Sequence, residues 1–143
     1  MPSSADSKTD EFRDIPAPAR EADVLRTAID LLRERLPAPW TLEASVEPPS
    51  RDVGVDAVLR LRAPDGDEVT VLVEAKRLLN TRDVPIALEA LQRAAARADK
   101  ENEAILVLAA RYLAPATRER IAAAGAGYVD LTGNVQLAAD RPA

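Results

Sequence analysis

Two alternating runs joined by a tight-turn signal constrain this chain more than any other feature. VGVDAVLRLR at 53–62 and VTVLVEAK at 69–76 flank APDGDE, in which Pro-Asp-Gly marks a turn. Side chains of a strand alternate between its two faces. Ala57, Leu59 and Leu61 therefore share one face of the first run, and Asp56, Val58, Arg60 and Arg62 the other. The pair predicts a β-hairpin that brings Asp56 beside Glu74 near its open end. Glu74 and Lys76 point to one side, one pleat apart.

The flanking segments predict a mixed α/β layer arrangement. Residues 20–36 carry an apolar stripe of Val24, Leu25, Ala28, Leu31, Leu32 and Leu36, as an amphipathic helix requires. Residues 40–48 suggest a strand with Trp40, Leu42, Ala44 and Val46 on one side. A second helix is expected over 84–98, with Asp83 as N-cap and Pro85 in its first turn. The run AILVLAA at 104–110 reads as a strand buried on both faces. A third helix is expected over 114–124, closed by Gly125 and Gly127. A last strand is expected over 127–138, with Thr132-Gly133-Asn134 as a turn or bulge. Residues 1–19 mix Ser, Asp, Pro and Ala without periodicity and read as a flexible tail before a domain at 20–143. The sequence stops just after a strand, which suggests the N-terminal part of a longer protein.

Composition removes several chemistries. The 143 residues include no Cys and no His. Zinc sites built on those residues, His-dependent triads, Cys nucleophiles and disulfides are excluded. Acid–base or metal chemistry must use Asp, Glu, Lys or Tyr, and carboxylates select hard cations such as magnesium or manganese. The net charge of −5 argues against gripping nucleic acid by charge alone, but leaves room for a local basic face. The first residues lack the basic start and apolar stretch of a secretion signal, so a cytoplasmic location and no membrane contact are expected. Lysines are scarce: Lys8, Lys76 and Lys100 stand against sixteen arginines among the 19 basic residues. A Lys at the end of an apolar strand is informative against that background.

Two carboxylates with an ammonium nearby make a site for a divalent cation and a water. Phosphodiester cleavage needs those parts. The order helix–β–β(Asp)–β(Glu-x-Lys)–helix–β, with seventeen residues between Asp56 and Glu74-Ala75-Lys76, resembles the PD-(D/E)XK nuclease superfamily over about residues 20–110. Val55 stands where that family's name has Pro. The resemblance implies a restriction endonuclease-like α-β-β-β-α-β core with a mixed sheet flanked by helices. It implies Asp56 and Glu74 as ligands of Mg2+ or Mn2+, the Ala75 carbonyl as a third, and Lys76 serving the nucleophile. Some members use a Gln and an extra acidic residue beside the site, positions that Gln92 and Glu21 match. The Tyr that accompanies the Gln is replaced by Ala96. A surface Gln and a dipole-favoured carboxylate explain the same two residues.

Arg60, Arg62, Arg77 and Arg82 are candidates for a phosphate-binding face, or for a solvated one. Tyr128-Val129-Asp130-Leu131-Thr132-Gly133-Asn134 resembles a Y-x-D-x-x-G-N stretch of bacterial proteins that join nuclease-like domains to winged-helix, regulator or antitoxin-like regions. Physically it predicts a tight turn and a buried, hydrogen-bonded Asp130. The resulting expectation is metal-dependent hydrolysis of DNA in restriction, repair or defence. A homodimer would suit cutting two strands, and a C-terminal winged-helix region or partner protein would suit the last motif. The alternatives are a non-catalytic DNA-binding or regulatory, antitoxin-like module on the same fold, or a protein-interaction module.

Overall fold

The stripe expected in the first helix closes on itself every fourth residue. Helix α1 spans Glu21–Arg35 and buries Val24, Ala28 and Leu32, one turn apart on one face. Glu21 and Asp23 open it and Arg33 and Arg35 close it, as the helix dipole favours. The computed structural model describes residues 21–44, 56–97 and 103–137. The expected tail at 1–19, Val46 and Val55 lie outside them.

Six strands follow: β1 Thr41–Ala44, β2 Ala57–Arg62, β3 Glu68–Lys76, β4 Ile105–Ala110, β5 Gly127–Asp130 and β6 Val135–Gln136. They form one sheet in chain order. β1, β2 and β3 pair antiparallel, β3, β4 and β5 pair parallel, and β6 returns antiparallel to β5. Helices α2, Val84–Arg97, and α3, Pro115–Ala123, make the parallel crossovers. This mixed sheet flanked by helices is the restriction endonuclease-like arrangement expected from the sequence.

Alternation decides which core each strand residue joins. On one face Val71, Val73 and Ala75 of β3 and Ile105, Val107 and Ala109 of β4 pack with Val24, Ala28 and Leu32 of α1. On the other, Leu72 and Leu108 pack with Leu88 and Leu91 of α2 and Ile121 of α3. Glu74 and Lys76 have the parity of Leu72, so they belong to the α2–α3 face. Each fully buried Leu contributes about 1.5–3 kcal/mol.

The Pro-Asp-Gly turn forms as expected. Gly66, at φ 97°, donates to the Ala63 carbonyl at 2.9 Å, and Ala63 donates to the Asp67 carbonyl at 2.8 Å.

Three local expectations need correction. Ala44 is exposed and does not share the burial of Leu42. Asp83 does not cap α2. It closes a 3-10 turn, Thr81–Asp83, by accepting the Asn80 amide at 3.4 Å. The segment 127–138 is two short strands rather than one, because Gly133 at φ 108° reverses the chain between them.

Candidate active site

Asp56 sits one residue before β2. Its amide donates to the Val73 carbonyl at 3.1 Å. Its carboxylate Oδ2 accepts the Ala75 amide at 2.8 Å. The side chain thus extends the strand pairing past the register Ala57–Val73 and fixes a negative charge against β3 between Glu74 and Lys76. Lys76 Nζ lies 3.4 Å from Glu74 Oε2. The Glu74 side chain is 15% exposed and that of Lys76 38%.

The electrostatics tie the group together. Burial raises the Glu74 carboxyl above its usual range, and the Asp56 charge raises it further. The Lys76 ammonium opposes both by charge and hydrogen bond, and Glu21 adds the smallest effect. Ionised Glu74 is therefore short of positive charge even with Lys76 present. The structure brings Asp56, Glu74 and Lys76 together, with Ala75 between them.

Other expected residues are placed elsewhere. Among the described residues, no three Asp or Glu side chains converge as a metal cluster. Glu21 is exposed at the first position of α1 and reaches Glu74 only through its charge. Gln92 is exposed on α2, outside the buried row of Leu88, Leu91 and Ala95. Arg60 pairs with Glu43 at 3.3 Å. Arg62 pairs with Glu68 at the closed end of the hairpin. That end is six residues from Asp56, roughly 20 Å along the strand. Their shared face was read correctly, but a face says nothing about distance along it. Arg77 and Arg82 follow β3 directly and are exposed.

Asp130 is fully buried, at 0% exposure. Its Oδ1 accepts the amides of Thr132 at 3.0 Å and Asn134 at 3.1 Å, and the Thr132 hydroxyl at 2.7 Å. Its Oδ2 accepts the Leu113 amide at 2.9 Å and Asn134 Nδ2 at 3.0 Å. Burial pushes this carboxyl up, but the hydrogen bonds outweigh it and hold it below the usual range. Arg118 donates to Asn134 Oδ1 and the Leu113 carbonyl, at 3.2 and 3.1 Å, and completes the network. The Y-x-D-x-x-G-N stretch is therefore a structural knot that ties β5 to the end of β4.

A groove of about 1130 Å³ lies beyond the ends of β3, β4 and β5. Leu78, Arg82, Arg111, Tyr112 and Leu131 line it, whereas Asp56, Glu74 and Lys76 do not. Sequence reading missed it. Its signal was Arg111-Tyr112 directly after an apolar strand, in a chain that is only 3% aromatic. Among the described residues no helix is long and apolar enough to cross a membrane.

The family model Mrr_cat, described as restriction endonuclease, matches residues 23–139. That span contains the whole sheet and every residue of the Asp56–Glu74–Lys76 group. No curated protein and no solved structure matches the chain.

Proposed function

The chain belongs to the restriction endonuclease family, within the PD-(D/E)XK superfamily, and from that membership and the grouping of Asp56, Glu74 and Lys76 we propose that it hydrolyses phosphodiester bonds of DNA with a divalent cation. The observation that carries this reading is the hydrogen bond from the Ala75 amide to Asp56 Oδ2, which holds a second carboxylate beside Glu74.

The donor set suits Mg2+ or Mn2+. Both side-chain ligands are hard oxygens, the Ala75 carbonyl supplies a third, and their mutual repulsion is what a cation relieves. A cation held there would lower the pKa of a bound water and offset charge on the phosphate. Asp56 and Glu74 would hold that cation and accept hydrogen bonds from an attacking water. Lys76 steadies it and stabilises the negative charge that builds on the phosphoryl oxygens. The attacking water gives up a proton to solvent as its oxygen bonds to phosphorus, one ester P–O bond breaks, and the departing oxygen takes up a proton from solvent. Arg77 and Arg82, exposed just past β3, would hold flanking phosphates.

The lack of a third clustered carboxylate among the described residues and the net charge of −5 favour, as a second reading, a non-catalytic DNA-binding or regulatory module. Incubation of plasmid and single-stranded DNA with the protein in Mg2+ or Mn2+ separates the two. Hydrolysis predicts cleavage that stops on chelation and in Lys76→Ala. Intact DNA in every condition, with wild type folded, overturns it.

A further inference from the structure

The groove beyond the strand ends is built differently from the Asp56–Glu74 site. Register places Lys76, Ala110 and Asp130 on one rung across β3, β4 and β5. The groove residues Leu78, Tyr112 and Thr132 stand two positions past that rung, in the loops that follow the three strands. The groove thus continues from the Lys76 end of β3, at the side of the sheet where open α/β folds receive ligands.

Its chemistry has three parts. Leu78 is 74% exposed and Tyr112 54%, so two large apolar surfaces face solvent beside Leu79 and Leu131. Arg82 and Arg111 also line it, and among the described residues no Asp or Glu does. Helix α3 begins against it: Ala114 and Thr117 line the groove, and no side chain caps the helix start. The amides of that first turn lack helical acceptors and favour an anion. The volume exceeds the roughly 300–1,000 Å³ typical of small-molecule sites.

An apolar floor with an exposed aromatic ring and arginines matches the exposed bases and phosphates of an unpaired strand. A duplex hides its base faces and offers only phosphate and groove edges. We propose that this groove binds single-stranded DNA, with a base stacked on Tyr112 and a phosphate at Arg82. This deepens the hydrolysis reading and rests on it for the choice of nucleic acid. It places an unpaired segment of the substrate next to the bond to be cut.

The test is equilibrium binding of labelled oligothymidine and of a blunt duplex of the same length, in chelator, to wild type, Tyr112→Ala, Tyr112→Phe and Arg82→Ala. Wild type is expected to bind the single strand more tightly. Tyr112→Ala is expected to lose about tenfold on the single strand alone, and Tyr112→Phe to keep wild-type affinity. Arg82→Ala is expected to reduce the slope of log affinity against log salt by about 0.7. The proposal is overturned if wild type binds the single strand no better than the duplex. It is equally overturned if Tyr112→Ala matches wild type, or if polyglutamate displaces oligothymidine as well as unlabelled oligothymidine does, which would mark an acidic-peptide site. The two readings fail separately. Expected binding without any Mg2+-dependent cleavage leaves the groove and removes hydrolysis. Cleavage with unaltered binding by Tyr112→Ala does the reverse.

Discussion

Asp56 Oδ2 accepts the amide of Ala75 at 2.8 Å, nineteen residues along the chain. This bond gives the carboxylate a structural duty beside its proposed chemical one. Asp56→Ala leaves the Ala75 amide without its partner, at a cost of about 1–2 kcal/mol. Asp56→Asn keeps an acceptor oxygen and removes the charge. Urea melts are expected to rank wild type and Asp56→Asn close together with Asp56→Ala below, while both variants lose cleavage. A stable Asp56→Ala would contradict this geometry.

Glu74 makes the opposite prediction. Its carboxyl is raised by burial and by Asp56, so the native state holds its proton more tightly than the unfolded chain does. Ionised Glu74 therefore opposes folding above its native pKa, and the penalty fades as pH falls through that value and is gone below the unfolded one. Glu74→Gln is expected to raise Tm at neutral pH by a few degrees, since about 1 kcal/mol moves Tm by roughly 2–4 °C in a domain of this size. A lower Tm in Glu74→Gln would mean that the Lys76 ion pair outweighs burial.

Asp130 has its carboxyl lowered by its hydrogen bonds. Its stabilisation is present above the unfolded carboxylate range and is lost as pH falls through the native value. Wild type is expected to lose stability on acidification, and Asp130→Asn to lose less of it while starting lower. Asp130→Ala strands the Leu113 amide and is expected to cost about 3 kcal/mol at neutral pH, read by urea denaturation.

Much of this fold was legible because its signals are local. Period-two alternation and a Pro-Asp-Gly turn gave the hairpin, and four-residue spacing gave α1. Asp56, Glu74 and Lys76 were legible for the same reason, since a hairpin of known register brings its open end together. The assignment of Arg60 and Arg62 rested on alternation, which reports a face and not a distance, and the two pair with Glu43 and Glu68 toward the closed end of the hairpin. The turn at Thr132-Gly133-Asn134 was legible, but its division of 127–138 into two paired strands was not, because the apolar pattern runs through it. The groove went unread beyond the hint of Arg111-Tyr112 after an apolar strand, since three loops far apart in sequence build it.

Arg35 Nη2 donates to the Gly133 carbonyl at 2.7 Å, linking the end of α1 to the β5–β6 turn. The bond is exposed, so Arg35→Ala is expected to cost about 1 kcal/mol or less. Gly133→Ala meets no closer neighbour than Arg35 Nη2 at 3.6 Å, but a φ of 108° strains any side chain. It is expected to cost about 1–2 kcal/mol, more than the Arg35 variant. Chemical denaturation of the two variants checks the order.

The most direct test of the central claim is a Mn2+ binding isotherm on wild type, Asp56→Asn, Glu74→Gln and Lys76→Ala. If Asp56 and Glu74 share one cation with Lys76 beside it, wild type and Lys76→Ala bind one Mn2+ per chain and the two carboxylate variants bind none at the same concentrations. Unchanged binding in Asp56→Asn and Glu74→Gln, or no binding by folded wild type, would contradict it.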